Sequence, residues 1–312
     1  MASFNWSKYD FVDYLDWKNK EIRDLPHGVN ISTMCASCKL NNTVNLTNIE
    51  KYLPLNSDDI ITVKLNKDNM RSLIEQKIKK RRSRSTTAKV KKSTPFYNQI
   101  TIVVRIKEGE YTDLNDEKKL NIKLFKNGSI QISGLKKIEY CNRALNKLIY
   151  RLQETKGIKI GNTISDIHFI DSNEKNKLSV SNFKIYMINS NYKVNLHIDR
   201  NALYQLLKLK KIKSSFEKTI RACVIVKYIP PKNNTEEKEV SIFIFEKGNI
   251  IITGARNLEH IRCSYEYINK ILLNHTNEIS LKNSDENDKL ILKLYDEIMS
   301  DYKHNSLKLG IQ

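Results

Sequence analysis

The sequence predicts an α+β fold: two pseudo-symmetric repeats form one curved antiparallel sheet, a saddle with helices on its convex face. Three observations predict it. The stretch SIFIFEKGNIIITGAR (Ser241 to Arg256) has a second copy upstream, NIKLFKNGSIQISGLK (Asn121 to Lys136). Both copies alternate aliphatic and mixed residues with the period of two that a half-buried strand imposes. A run with helical spacing then closes each copy: Ile138, Cys141, Leu145, Leu148 and Leu152, repeated as Leu258, Ile261, Tyr265, Ile268 and Leu272.

Within each copy a strand runs into a turn (Asn127-Gly128, Lys247-Gly248), and the returning strand ends on Gly134 or Gly254. X-Gly pairs between β-rich runs signal hairpins, because Gly accepts the positive φ of a tight turn. Even positions carry Ile122, Leu124, Ile130 and Ile132, then Ile242, Ile244, Ile250 and Ile252, a continuously aliphatic face. Odd positions carry Lys123, Phe125, Ser129, Gln131 and Ser133, then Phe243, Phe245, Asn249, Ile251 and Thr253. If the aliphatic face packs on helices, this second face stays open with aromatics on it, the mark of a binding surface. The alternative is a further layer of the domain packed over the Phe rings.

The 312 residues suit a duplicated module, and Lys plus Arg exceed Asp plus Glu to give a net charge of +19. A polyanionic partner is expected, nucleic acid before an anionic membrane surface. No apolar run reaches the roughly 20 residues of a spanning helix, and no basic-then-apolar signal sequence opens the chain. A soluble, non-secreted protein is expected. Five scattered cysteines (Cys35, Cys38, Cys141, Cys223, Cys263) suit a reducing compartment. The pair Cys35 and Cys38 lacks a second pair, and its odd separation within a strand sends the thiols to opposite faces, so no metal or other cofactor is expected.

In chain order, residues 1–28 form an acidic, aromatic extension suited to dock on a basic, aromatic surface or to close the fold as a short amphipathic helix. The first repeat spans 29–155. NISTMCASCKL begins it as a strand, with Asn45 or Thr47 as N-cap of a short helix. The same order recurs at Phe183 to Leu203, with Val44 matching Val194 at an offset of 150, whereas Phe125 and Phe245 differ by 120. The difference is a basic insertion at about 60–98, where residues 77 to 92 contain no acid. It reads as a phosphate-attracting arm or a nuclear-import signal. A polar connector with one strand spans 156–182, the second repeat 183–275, and a C-terminal extension with an added helix (Leu290, Leu294, Ile298, Tyr302) 276–312. Acidic loops follow the strands at Ile106 and Tyr228 and suit a basic protein partner.

FIFEKGNIIITGA (Phe243 to Ala255) resembles LIF-x-SGK-x-x-x-TGA, the most recognisable string of the TATA-box-binding protein family. KLFKNGSIQISGL (Lys123 to Leu135) resembles it more faintly, and FKIYMINS resembles the opening of that family's second repeat. The resemblance covers Val29 to about Leu273 and extends to divergent members of large DNA viruses. It implies a concave sheet on the DNA minor groove, with two pairs of Phe wedged between base steps. One wedge of each pair then falls at Phe125 and Phe245, with Phe243 beside the latter. The partner wedges fall at Gln99 and Arg221, and Phe96, Tyr97 and Phe216 are the apolar candidates after a register shift. The two central Asn positions hold Thr33 and Met187, with Asn189 two residues along. Phosphate contacts fall to Arg105 and Lys227, and to Lys136 and Arg256. The remaining groove-lining positions become Cys35, Ser37, Gln131, Ser133, Asn191, Ile251 and Thr253, while Ser129 and Asn249 replace the Lys of SGK.

The expected function is a transcription initiation factor on AT-rich double-stranded promoter DNA. By resemblance its partners are a B-type general transcription factor, received at Pro230 to Glu239, and an RNA polymerase. The six His are dispersed, and no nucleophile motif, Gly-rich phosphate loop or carboxylate dyad stands at a recognisable spacing, so no enzyme is expected. The competing readings are a protein-interaction module that kept the saddle and lost DNA binding, and an accessory domain of a nucleic-acid enzyme. The expected location is the nucleus, or for a viral protein the cytoplasmic virus factory or virion.

Overall fold

Aliphatic residues at every second position make each hairpin one-sided, and the computed structural model buries both hairpins on the even parity. It describes residues 25–66, 69–74, 98–106, 118–160, 162–171, 178–231, 238–281 and Lys293. In the first copy β4 (Gln99–Ile106), β5 (Lys118–Phe125) and β6 (Ser129–Leu135) form a meander, and β6 also pairs with β1 (Asn30–Leu40). Ile102, Ile122, Ile132 and Ala36 stand opposite one another across these four strands, and all are fully buried. Burying such a row removes water from about 1.5–3 kcal/mol worth of each aliphatic side chain, which fixes the register, because a one-residue slip would turn the row outward.

The second copy repeats the device with β11 (Cys223–Tyr228), β12 (Val240–Phe245) and β13 (Asn249–Ala255), where Val224 faces Ile244 and Val226 faces Ile242. All four are buried. A strand and a helix lead into each meander. They are β1 and α1 (Leu46–Tyr52) in the first copy, β9 (Val180–Lys193) and α3 (Arg200–Leu209) in the second. Asn45 caps α1 by accepting from the Asn48 N–H, and Asp199 caps α3 by accepting from Asn201 and Ala202. The helices α2 (Ile138–Gln153) and α4 (Leu258–Asn274) close the copies. Cys141, Leu145, Leu148 and Leu152 of α2 are fully buried against the sheet, as the helical spacing predicts. The order is α+β, and every registered strand pair is antiparallel.

The chain divides into two compact units. One takes the described residues of Met1–Ser190 with Thr253–Ile261, the other those of Asn191–Ile252 and Arg262–Gln312. The first holds the strand order β9-β1-β6-β5-β4-β2-β3, where β2 (Ile60–Lys64) and β3 (Met70–Ser72) form one edge. The second holds β10-β11-β12-β13, with β10 reduced to Ser214–Ser215, and α3 packs on β10 and β11 and against the short α5 (Thr276–Ile279). Two segments hold strands beyond the sequence expectation. The segment assigned to the insertion begins with β2 and β3, and the connector holds a hairpin, β7 (Lys156–Ile160) with β8 (Thr163–Ile167), before β9 begins. Residues 1–24, the basic stretch 77–92, Phe96, Tyr97, the acidic loops at 107–117 and 232–237, and the C-terminal run through Tyr302 lie outside the described residues, Lys293 excepted. No described helix is long and apolar enough to cross a membrane.

The two X-Gly turns are locked by what lies beneath them. Gly248 has φ +77°, and a Cβ there would stand 2.2 Å from the Val194 carbonyl oxygen and 2.8 Å from that of Leu196. Gly128 repeats this against Asn42 and Leu40, at 2.3 and 2.8 Å. In both turns the Gly carbonyl accepts from the strand it touches, from the Leu40 or Val194 N–H. Replacing Gly248 by Ala must move backbone as well as adopt a disfavoured φ, which alone costs about 1–2 kcal/mol. Gly28→Ala is the control, since Gly28 has φ +83° with nothing within 4 Å. Urea unfolding should show Gly248→Ala clearly below Gly28→Ala in stability; equal midpoints would remove the close approach as the cause.

Candidate nucleic-acid interface

With the even face buried, the odd-parity side chains of the meanders are left on the opposite face as far as Gly134 and Gly254; past these two positive-φ residues Leu135 and Ala255 are buried instead. In the first unit Phe125 lies across from Gln99, Lys123 across from Thr101 and Gln131, Gln131 across from Ser37, and Ser133 across from Cys35. Phe125, Gln99, Ser37 and Ser133 are half-buried, while Lys123 and Gln131 are exposed. Phe125 also walls an open groove of about 500 Å³ with Thr43, Asn98, Lys126 and Asn127. Cys35 is the most enclosed member, at 7% exposure. Burial pushes its thiol above the ordinary value although Tyr186 hydrogen-bonds to it, so it stays a neutral thiol at physiological pH. Thr33, two residues earlier on β1, lies half-buried on the same side. Cys38 faces the core instead, where burial raises its thiol to about 12, so the two thiols do take opposite faces of β1.

On β9, Met187 and Asn189 are half-buried. The Thr253 hydroxyl donates to Asn189 Oδ1, and the Ser32 hydroxyl donates to the Asn189 carbonyl at 3.0 Å. With Oδ1 engaged, the side chain offers its amino group as a donor. Donors suit a minor groove that presents A N3 and T O2 as acceptors.

The second unit's open face is apolar where the first is polar. Phe245 lies across from Cys223, Phe243 across from Ile225, and Lys227 across from Ser241. Phe243, Phe245, Ile225 and Ile251 are all half-buried, and Asn191 is exposed. A count of 122 from Gln99 lands on Arg221, but the structure places Cys223 opposite Phe245. The reason is ladder length: β4 and β5 form eight pairs, β11 and β12 only six. Arg221 falls past the end of the strand, in the turn where its N–H donates to the Glu217 carbonyl at 2.8 Å. Phe216 is half-buried and packs edge-on against Tyr204, at 6.1 Å between centroids, on the α3 side of this turn. Sequence reasoning passed over Cys223, Ile225 and Val103, although the alternation within CVIVKY and QITIVVRI already assigns them to the open parity.

The basic residues are tethered to different degrees. Counted from the hairpin loop, Arg105 and Lys227 both occupy the second rung, opposite Lys119 and Ser241. Arg105 Nη1 donates to the Ser57 carbonyl at 2.6 Å. Lys227 Nζ donates to Ser241 Oγ at 2.8 Å and stands 3.1 Å from Glu239, which also pairs with Lys213 at 2.6 Å. Lys213 and Lys227 hold the Glu239 carboxyl below its ordinary value. Lys136 is exposed, and Arg256 is half-buried with its backbone N–H 3.4 Å from His260 Nδ1. Among the described residues, no group of three or more His, Cys, Asp or Glu could hold a metal ion.

No family model matches the chain. It is 33% identical over 271 residues to a "TATA-box-binding protein-like" protein of Acanthamoeba polyphaga mimivirus, covering 82% of this chain and 68% of that one. Among solved structures it is similar to the Methanococcus jannaschii TBP, at 14% identity and a TM-score of 0.44, covering 77% of this chain and 95% of the other. On one third identity across most of both sequences, the chain belongs to the TATA-box-binding protein-like family.

Proposed function

We propose that the odd-parity faces bind double-stranded promoter DNA through its minor groove, with a preference for AT-rich sites, and that the bound protein helps assemble a polymerase initiation complex. The observation that carries this reading is the repeated exposure of one sheet face with a Phe at the same place, Phe125 and Phe245, each immediately before the X-Gly turn. Around the first Phe stand hydroxyl and amide donors; around the second stand Phe243, Ile225 and Ile251. Donors read groove acceptors, and apolar rings separate base steps. The net charge of +19 supplies the sequence-independent attraction, with Arg105, Lys136, Lys227 and Arg256 as the phosphate contacts of these faces.

The function is binding and not catalysis, a reading that family membership supports. The protein partners are a B-type general transcription factor at Pro230 to Glu239 and an RNA polymerase. The place of action is the nucleus, or the virus factory or virion if the chain is viral.

Gel shifts with AT-rich and GC-rich duplexes test this at two salt concentrations, roughly 50 and 200 mM. Affinity for both should fall steeply with salt, while the AT-over-GC ratio persists. A ratio that collapses to one at the higher salt would mean bulk phosphate attraction, and groove binding would be wrong.

A further inference from the structure

Two lysines of the second unit share one carboxylate at the rim of its open face. Lys213, Lys227 and Ser241 stand side by side: the Lys227 N–H donates to the Lys213 carbonyl at 2.9 Å, and Lys227 lies across from Ser241. Glu239, two residues before Ser241 and on the same parity, ties this row together. One of its oxygens is 2.6 Å from Lys213 Nζ and the other 3.1 Å from Lys227 Nζ. Lys227 Nζ also donates to Ser241 Oγ at 2.8 Å. Neighbouring ammoniums on a sheet repel one another, and the carboxylate between them relieves that repulsion. Counted back by the repeat offset of 120, the same position is Lys119, exposed and directly across from Arg105. The carboxylate is therefore a feature of copy two and not of the repeat.

A carboxylate that bridges two ammoniums stands where a phosphodiester could stand. Both groups carry one negative charge on two free oxygens, and Lys serves either as a point-charge partner. The seat lies at the start of β12, on the same face as Phe243 and Phe245. It is open to exchange, because the Lys213 side chain is 74% exposed and that of Glu239 33%, and exposed ion pairs are weak. We propose that Lys213, Lys227 and Ser241 seat one backbone phosphate of the bound duplex, and that Glu239 occupies this seat in the free protein as an internal competitor. The inference rests on the proposed DNA contact of this face. It adds Lys213 to that contact. It also makes Glu239 the residue that holds the affinity and salt dependence of copy two below what its lysines alone would give.

Gel shifts of the full-length protein on AT-rich and GC-rich duplexes, at roughly 50 and 200 mM salt, test it. Glu239→Gln should tighten binding to both duplexes and steepen the log–log salt slope by about 0.9, the value of one further phosphate contact. Its gain should then be about three to four times larger at the lower salt than at the higher. Glu278→Gln makes the same charge change on α5, where Glu278 pairs with His275, and should leave the slope unaltered. Adding Lys213→Ala to Glu239→Gln should return affinity and slope to the parent values. These side chains are exposed or half-buried, so unaltered melting temperatures are expected. Unchanged or weakened binding by Glu239→Gln, an equal gain from Glu278→Gln, or a gain that survives Lys213→Ala would overturn the proposal. The AT-over-GC ratio reports groove binding separately, because phosphate contacts carry no sequence information. A ratio of one with the Glu239→Gln gain intact would sink groove binding alone, and an intact ratio without the gain would sink this seat alone.

Discussion

Phe245→Ala is expected to weaken binding to an AT-rich duplex by about 1–3 kcal/mol, roughly five- to 150-fold, the usual cost of losing one ring stacked on bases. Phe245 is half-buried on the open face, opposite Cys223 and two residues from Phe243. Truncating it removes little core packing, because the buried residues of β12 are Val240, Ile242 and Ile244 on the other parity. Phe125→Ala should cost less. Its ring stands across from Gln99, and its same-face neighbours on β5 and β4 are Lys123 and Thr101, so less apolar surface surrounds it. The second copy should therefore dominate the affinity. If a folded Phe245→Ala protein binds the duplex as well as the parent, the open face of the second unit is not the groove contact.

The sheet faces were legible because a strand exposed on one side writes its orientation into alternate residues. Ile122, Ile132, Ile242 and Ile252 could face only inward, and with them Phe125 and Phe245 only outward. The closing helices were legible for the same reason at a period of 3.6. Short or fully solvated elements carry no such signal. Two residues of β10 cannot show alternation, and β2 sits at the head of a Lys-rich segment that reads as a loop. The β7–β8 hairpin leaves Ile164 77% exposed, so it has no buried face to pattern.

Pairing partners were the harder part of the site. A strand's parity follows from its own residues, but what stands across from Phe245 depends on how many rungs the ladder has. Copy two is two rungs shorter than copy one, and that difference moves Arg221 off the strand and brings in Cys223. The tethering of Lys227 by Glu239 and the Thr253 bond to Asn189 join residues distant in sequence, beyond the reach of spacing rules.

A charged knot beneath Arg105 was equally invisible in the sequence, and it predicts the largest loss of stability. Asp59 is 1% exposed, and its Oδ2 accepts from Arg151 Nε at 2.8 Å and from Nη2. Its Oδ1 accepts from the Ile60 N–H, and its carbonyl accepts from the Arg105 N–H at 2.7 Å. The buried Lys147 Nζ donates to the carbonyls of Asp58 and Arg105, at 2.6 and 2.8 Å. Helix α2 thus clamps the turn before β2 onto the end of β4, through two cations and one acid. Arg151→Met would strand the Asp59 carboxylate in the core, and breaking one side of a buried pair costs about 3–5 kcal/mol. Removing both charges is gentler: Asp59→Asn with Arg151→Met keeps an acceptor for the Ile60 N–H without a buried charge. The double variant should recover part of that loss, the coupling expected of groups in direct contact. Urea unfolding of the two single variants and the double variant measures it. Additive losses, or a single-variant loss under about 0.5 kcal/mol, would show that the pair is solvated and holds nothing in place.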